Sequence, residues 1–232
     1  MSSHPFFNSE RPLQAVLFDL DGTLIDTAPD FILTLNALRQ HHHLPELEAE
    51  QIRSQVSNGA RALIALGFGH EQDNPHFQSQ LTELLDRYEQ HLSVASRVFT
   101  GLDTALNLLE SRRIPWGIVT NKPSRFTLPL IEQLNLSERC ATAICPDHVT
   151  NRKPHPEPIF KACGEIGVDA RHTLYVGDHA RDIEAGRRAG NITVAAGWGY
   201  LNPGEQASDW QADVTCATPD EFNRWLRENL AE

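Results

Sequence analysis

The sequence predicts an α/β protein, a doubly wound parallel sheet with a small helical domain inserted after the first strand. Three features carry this expectation. The apolar run QAVLF stops at Asp19 and an Asp-Gly turn, as a buried strand does at its carboxyl end. Between residues 28 and 98 apolar residues recur at helical spacing, with no convincing strand among them. From residue 99 onward strand and helix patterns alternate, which suits a parallel sheet covered by helices on both faces.

In chain order, residues 1–12 form a loose, flexible polar lead-in, and 14–18 form the first strand. The core takes in 13–27 and 99–232, and the helical cap takes in 28–98. Pro29 suits the first turn of the opening cap helix, and further helices are expected near 48–57, 60–66 and 76–92. Phe99-Thr100-Gly101 is a hinge out of this block. Helices are then expected at 102–111, 126–134, 158–166, 179–189 and 220–229, and strands at 115–120, 141–145, 173–176 and 193–196. The three histidines at 41–43 read as an exposed run, because successive residues on a helix point apart.

Charge narrows the function classes. Lys plus Arg is 20 against 31 Asp plus Glu, a formal charge of −11. A chain this acidic repels a phosphate backbone and an anionic membrane surface, so neither nucleic acid nor membrane is an expected partner. No apolar run approaches the length of a membrane span, and the N-terminus lacks the basic and apolar regions of a signal peptide. The four cysteines form no C-x-x-C pair and read as reduced core residues, so the expected compartment is the cytoplasm. The expected oligomeric state is monomer or homodimer.

The chemistry is concentrated at the end of the first strand, in AVLFDLDGTLIDT. Asp19 and Asp21 are two apart on an extended chain, so both side chains project to one side. They also stand at the carboxyl end of a buried parallel strand, where open α/β sheets place their sites. Gly22 allows a sharp turn, and Thr23 adds a hydroxyl. At about 4 Å and an effective dielectric near 20, like charges repel by roughly 4 kcal/mol. A cation is the natural remedy, and Mg²⁺ prefers carboxylate oxygens and water.

This segment resembles the first motif of the haloacid dehalogenase-like hydrolases, whose cores are Rossmann-like. Three later segments agree with that family in order. PWGIVT ends in Thr120-Asn121, Lys153 lies in NRKPHPEP, and GDHARD carries Asp178 and Asp182. The resemblance implies a nucleophile in Asp19, a general acid and base in Asp21, a phosphoryl ligand in Thr120, and in Lys153 a partner for Asp19 and the phosphate. It implies Mg²⁺ held by Asp19, Asp178 and Asp21, the last through its main-chain carbonyl. Asp182 supports the set by holding a metal-bound water or Lys153; the plainer alternative is a first-turn acid facing a helix dipole. The family's dehalogenases lack the second aspartate, so Asp21 argues for phosphoryl chemistry.

The insertion resembles the cap of the phosphoglycolate phosphatase and β-phosphoglucomutase branch, in which a loop between cap helices reaches the leaving group. Here the matching stretch is Ser57-Asn58-Gly59-Ala60-Arg61, with Asn58, Gly59 and Arg61 as its candidate substrate contacts. Arg61 either forks onto a carboxylate or sugar oxygens or is a plain surface arginine. Thr23, Asn121 and Lys122 are further substrate-facing candidates. The implied activity is Mg²⁺-dependent hydrolysis of a small phosphorylated metabolite, an amino-sugar phosphate or phosphoglycolate, through an aspartyl-phosphate. A sugar phosphomutase using the same step is the remaining alternative.

Overall fold

The computed structural model describes residues 6–7 and 12–230. β1 (Ala15–Phe18) is buried throughout. After the turn at Gly22, a two-residue strand β2 (Ile25–Asp26) leads into four helices, α1 (Ala28–His41), α2 (Ala49–Arg53), α3 (Ala60–Phe68) and α4 (Phe77–Glu89). β3 (Arg97–Val98) returns antiparallel to β2, so a two-stranded ribbon joins insertion and core. The chain then runs α5 (Leu102–Ser111), β4 (Trp116–Val119), α6 (Ser124–Gln133), β5 (Ala143–Ile144) and α7 (Glu157–Ile166). It ends with β6 (Thr173–Gly177), α8 (Ala180–Ala189), β7 (Ile192–Ala196), β8 (Val214–Cys216) and α9 (Pro219–Asn229).

The six core strands are all parallel, in the order β5-β4-β1-β6-β7-β8. From β1 the chain moves to β4 and β5 on one side, then crosses to β6 on the other. That reversal opens a crevice beyond the carboxyl end of β1. Side-chain alternation divides the core into two layers. Val16 and Phe18 pack with α5 and α9 residues such as Leu106 and Phe222, whereas Leu17 packs with Ile159 of α7 and Ala185 of α8. The insertion has its own core, built from Leu35, Leu63, Leu84 and Tyr88 among others.

The doubly wound sheet and the helical insertion agree with the sequence expectation. β8 and the β2–β3 ribbon were not expected, because two or three residues carry no readable period. The lead-in expected over 1–12 lies mostly outside the described residues. Of it, Phe7 is buried and Phe6 donates its amide to Asn229 Oδ1 at 3.0 Å, both rings packing edge-on to Trp225. The four cysteines are free, and three are buried. No helix among the described residues is long and apolar enough to cross a membrane.

Asp30, wholly buried in α1, ties the two ends of the insertion together. Its carboxylate accepts the amides of Ala95 (2.8 Å) and Ser96 (2.9 Å) and the Ser96 hydroxyl (2.6 Å). Asp30→Ala leaves these donors without a partner and is expected to cost on the order of 3 kcal/mol in urea unfolding. A loss below about 1 kcal/mol would mean that water replaces the carboxylate.

Candidate active site

β1 delivers Asp19 to the crevice, and the Asp19 amide donates to Val176 O of the neighbouring strand at 2.8 Å. Asp19 Oδ1 accepts the Leu20 amide at 2.7 Å and faces Lys153 Nζ at 2.9 Å. Lys153 is buried, and its ammonium has three further partners: Asp182 Oδ1 at 2.7 Å, Val119 O at 2.9 Å and Tyr175 Oη at 2.9 Å. Burial opposes ionisation of Asp19. The Lys153 charge and hydrogen bond, with the Leu20 amide and Arg181, outweigh it and hold the carboxyl below the usual aspartate range.

Asp178 follows β6 directly, and Asp182 lies in the first turn of α8. Oxygens of Asp19, Asp178 and Asp182, one from each, lie within 4.8 Å of one another, and all three residues are buried. Gly22 makes this approach possible: its φ is +79°, and a Cβ there would meet Asp178 Oδ2 at 2.1 Å. Burial raises the Asp178 carboxyl to about 7, and the charges of Asp19 and Asp182 add to the rise. Burial also lifts Asp182 to about 6, against the pull of Lys153. Apart from the Lys153 ion pair, the Asp182 oxygens have no hydrogen-bond donor among the described residues. Buried and mutually repelling, with Asp182 short of donors, these carboxylates fit a divalent cation.

The remaining predicted site residues gather around this centre to different degrees. Thr23 is fully buried and donates its hydroxyl to Asp178 Oδ1 at 3.1 Å. The Asp21 carboxylate is not among the three that converge: its Oδ1 accepts Thr27 Oγ1 at 2.5 Å and Lys122 Nζ at 2.9 Å. Thr120 lies just past β4, and its Oγ1 accepts the Lys122 amide at 3.2 Å. Asn121 donates to Lys153 O at 3.1 Å. In the cap, Asn58 Nδ2 donates to Asn202 Oδ1 of the core at 3.2 Å. Gly59 opens α3 with φ +86° and open space where a Cβ would stand. Arg61 is exposed with its guanidinium 6.0 Å from the Phe77 ring centroid.

Several contacts were not anticipated from the sequence, although Ser57 belongs to the cap loop expected at the site. Ser57 reaches down from the cap to donate to Asp178 Oδ2 at 2.9 Å, and Arg181 donates to the Ser57 carbonyl. The Tyr200 amide also donates to Asp178 Oδ2, at 3.0 Å. The Tyr200 hydroxyl accepts the amides of Thr27 (2.7 Å) and Ala28 (2.9 Å) and donates to Asp26 Oδ1 at 2.7 Å. A single residue thus touches a carboxylate of the cluster and the first turn of the cap. No local pattern marks these contacts.

The raised carboxyls give a signed pH dependence. A folded-state pKa near 7, against about 3.9 unfolded, contributes stability at low pH that is lost as pH rises through 7. A bound cation offsets that loss. The gain in Tm on adding Mg²⁺ should therefore be larger at pH 8 than at pH 6. Metal-free Asp178→Asn should melt above the parent at pH 8 by on the order of 1 kcal/mol, about 2–4 °C, and gain little from Mg²⁺. A pH-independent Mg²⁺ shift in the parent would count against this reading.

Comparison with known proteins agrees with the geometry. The haloacid dehalogenase-like hydrolase family model matches residues 16–196. N-acetylmuramic acid 6-phosphate phosphatase of Pseudomonas aeruginosa is 46% identical over 210 residues, covering 90% of this chain and 93% of that protein. Its namesake from Pseudomonas putida is 44% identical over 218 residues, covering 94% and 98%. A phosphoglycolate phosphatase of Xanthomonas campestris is 43% identical over 209 residues, covering 90% and 94%. The crystal structure of a predicted phosphoglycolate phosphatase from Haemophilus somnus matches with a TM-score of 0.80 at 24% identity, over 91% of this chain and 97% of that one, a likeness of fold. The chain belongs to the haloacid dehalogenase-like hydrolases, and is a phosphatase of that family.

Proposed function

We propose that the protein is a Mg²⁺-dependent phosphomonoesterase that works through an aspartyl-phosphate on N-acetylmuramic acid 6-phosphate, in cytoplasmic recycling of cell-wall sugar. The observation that carries the reaction is the buried contact of Lys153 with Asp19. It keeps the carboxylate ionised and occupies Oδ1, leaving Oδ2 to attack phosphorus. As the bond from phosphorus to the sugar oxygen breaks, Asp21 gives that oxygen a proton. Water then attacks the aspartyl-phosphate, Asp21 takes the water's proton, and the bond from phosphorus to Asp19 breaks. Thr120 Oγ1 accepts the Lys122 amide, so its own proton is free to donate to a phosphoryl oxygen.

Asp19 and Asp178, with Asp182 beside them and the Asp21 carbonyl, would hold a divalent cation, whose charge would neutralise phosphoryl oxygens. Charge supports the need for it. Asp19, Asp21, Asp178 and Asp182 are met by Lys153, Lys122 and Arg181, the last acting on both Asp19 and Asp182. With all four carboxylates ionised, four negative charges against three positive ones repel a phosphate dianion, and a divalent cation would reverse the sign.

The substrate reading draws on the relatives at 44–46% identity, and phosphoglycolate is the alternative drawn from those at 43%. Asn58, Gly59 and Arg61 are the cap residues proposed to meet the leaving group. Phosphate release should be followed with Mg²⁺ and with chelator over N-acetylmuramic acid 6-phosphate, phosphoglycolate and glucose phosphates. The muramic sugar should be preferred, and chelator or Asp19→Asn should abolish turnover. A preference for phosphoglycolate would transfer the assignment to that substrate, and slow phosphate release with fast isomer exchange would mark a mutase. Arg61→Ala should raise KM for the preferred substrate several-fold and leave an aryl phosphate nearly unaffected. Equal effects on both would make Arg61 structural.

A further inference from the structure

Lys122 has surroundings that a substrate ligand does not need. It follows β4 in the loop leading to α6 and is 7% exposed. Its Nζ lies 2.9 Å from Asp21 Oδ1 and donates to Tyr88 Oη at 2.8 Å. The ammonium is 4.9 Å from the Phe31 ring centroid and 4.6 Å from that of Tyr88. Those two rings stack on one another at 3.9 Å with 9° between their planes. The core supplies the ammonium and the carboxylate, whereas the cap supplies both rings, Phe31 from α1 and Tyr88 from α4. An ammonium withdrawn from water needs such a set of partners: a carboxylate, a hydroxyl and aromatic faces.

Asp21 Oδ1 is thereby occupied twice, by Lys122 and by the Thr27 hydroxyl. We infer that Lys122 is the positioning residue of the acid–base step. Together with Thr27 it holds Oδ1 as an acceptor, so the proton that Asp21 exchanges with the leaving oxygen, and later with water, is carried on Oδ2. Because Phe31 and Tyr88 belong to the cap, this arrangement is complete only with the cap seated. The inference rests on the reading of Asp21 as the acid–base group.

The test uses two leaving groups. An alkoxide needs a proton as it departs, whereas dinitrophenolate does not. Single-turnover release of the leaving group is measured for the alkyl phosphate that the parent cleaves fastest and for dinitrophenyl phosphate. Lys122→Met, which keeps an apolar stem beside the rings, is compared with Tyr88→Phe, which keeps the ring and removes the hydroxyl. Lys122→Met should slow alkyl phosphate cleavage by about 10²-fold, and by at least about tenfold more than it slows the aryl phosphate, with KM within about threefold. Tyr88→Phe should show the same selectivity at smaller size. Equal losses on both substrates, or a loss confined to KM, would overturn the inference and make Lys122 a packing residue or a substrate ligand. Asp21→Asn separates the two readings. If it cleaves both substrates alike, the acid–base reading of Asp21 falls and takes this inference with it. If it discriminates and neither Lys122→Met nor Tyr88→Phe does, this inference alone falls.

Discussion

The ammonium of Lys153 is the interaction on which the rest of the site depends. Asp19 and Asp182 both reach it, at 2.9 and 2.7 Å, and it also meets a strand carbonyl and a tyrosine hydroxyl. Without it, buried carboxylates from β1 and from the segment after β6 would face each other in a region with little water, and the crevice would have to take up protons or open. Its cost is offset because its neighbours are fixed by the sheet and by the first turn of α8. Val119 O belongs to β4 and Tyr175 to β6, so two strands beside β1 position the cation that the end of β1 requires. Fold and charge distribution are here a single arrangement.

The cap is arranged on the same logic, with its polar joints at its margins. Its apolar centre also takes in Phe126 and Tyr200 of the core, and its polar links are directional: the β2–β3 ribbon, Ser57 on Asp178, Arg181 on the Ser57 carbonyl, and Gln55 and Asn58 on Asn202. The polar contacts exchange readily with water, whereas the apolar seam at Phe126 and Tyr200 does not. Lys122, its ammonium beside the stacked rings of Phe31 and Tyr88, is a charge enclosed at the same boundary.

Legibility in the sequence followed the range of the interactions. β1 and the Asp-x-Asp-Gly turn were readable because an apolar run and its terminator are neighbours. α5 was readable to the residue because its apolar face repeats cleanly over 102–111. β8 was hidden by its length and by exposure at a sheet edge. Asp19, Asp178 and Lys153 were found through motifs, each a short string that carries its own chemistry. Tyr200 was not, since it meets Thr27 across 173 positions and contributes an amide and a phenol that no spacing advertises. Lys122 was recognised as a residue of interest, but its partner Asp21 lies 101 positions away, and its aromatic neighbours come from two separate helices.

Tyr200 also bears on where the molecule can bend. Its hydroxyl seals the amino end of α1 while its amide grips Asp178, and burial together with the Asp26 charge keeps the phenol protonated and able to serve both sides. The first turn of α1 therefore belongs mechanically to the catalytic floor, although by sequence it begins the cap. Because α1, α3 and α4 share one apolar core, a displacement of the cap carries α1 with it and acts directly on the Tyr200 contacts at its first turn. Selection for a new leaving group can act on the loops between the cap helices while that first turn, and the carboxylate that Tyr200 holds, stay where they are.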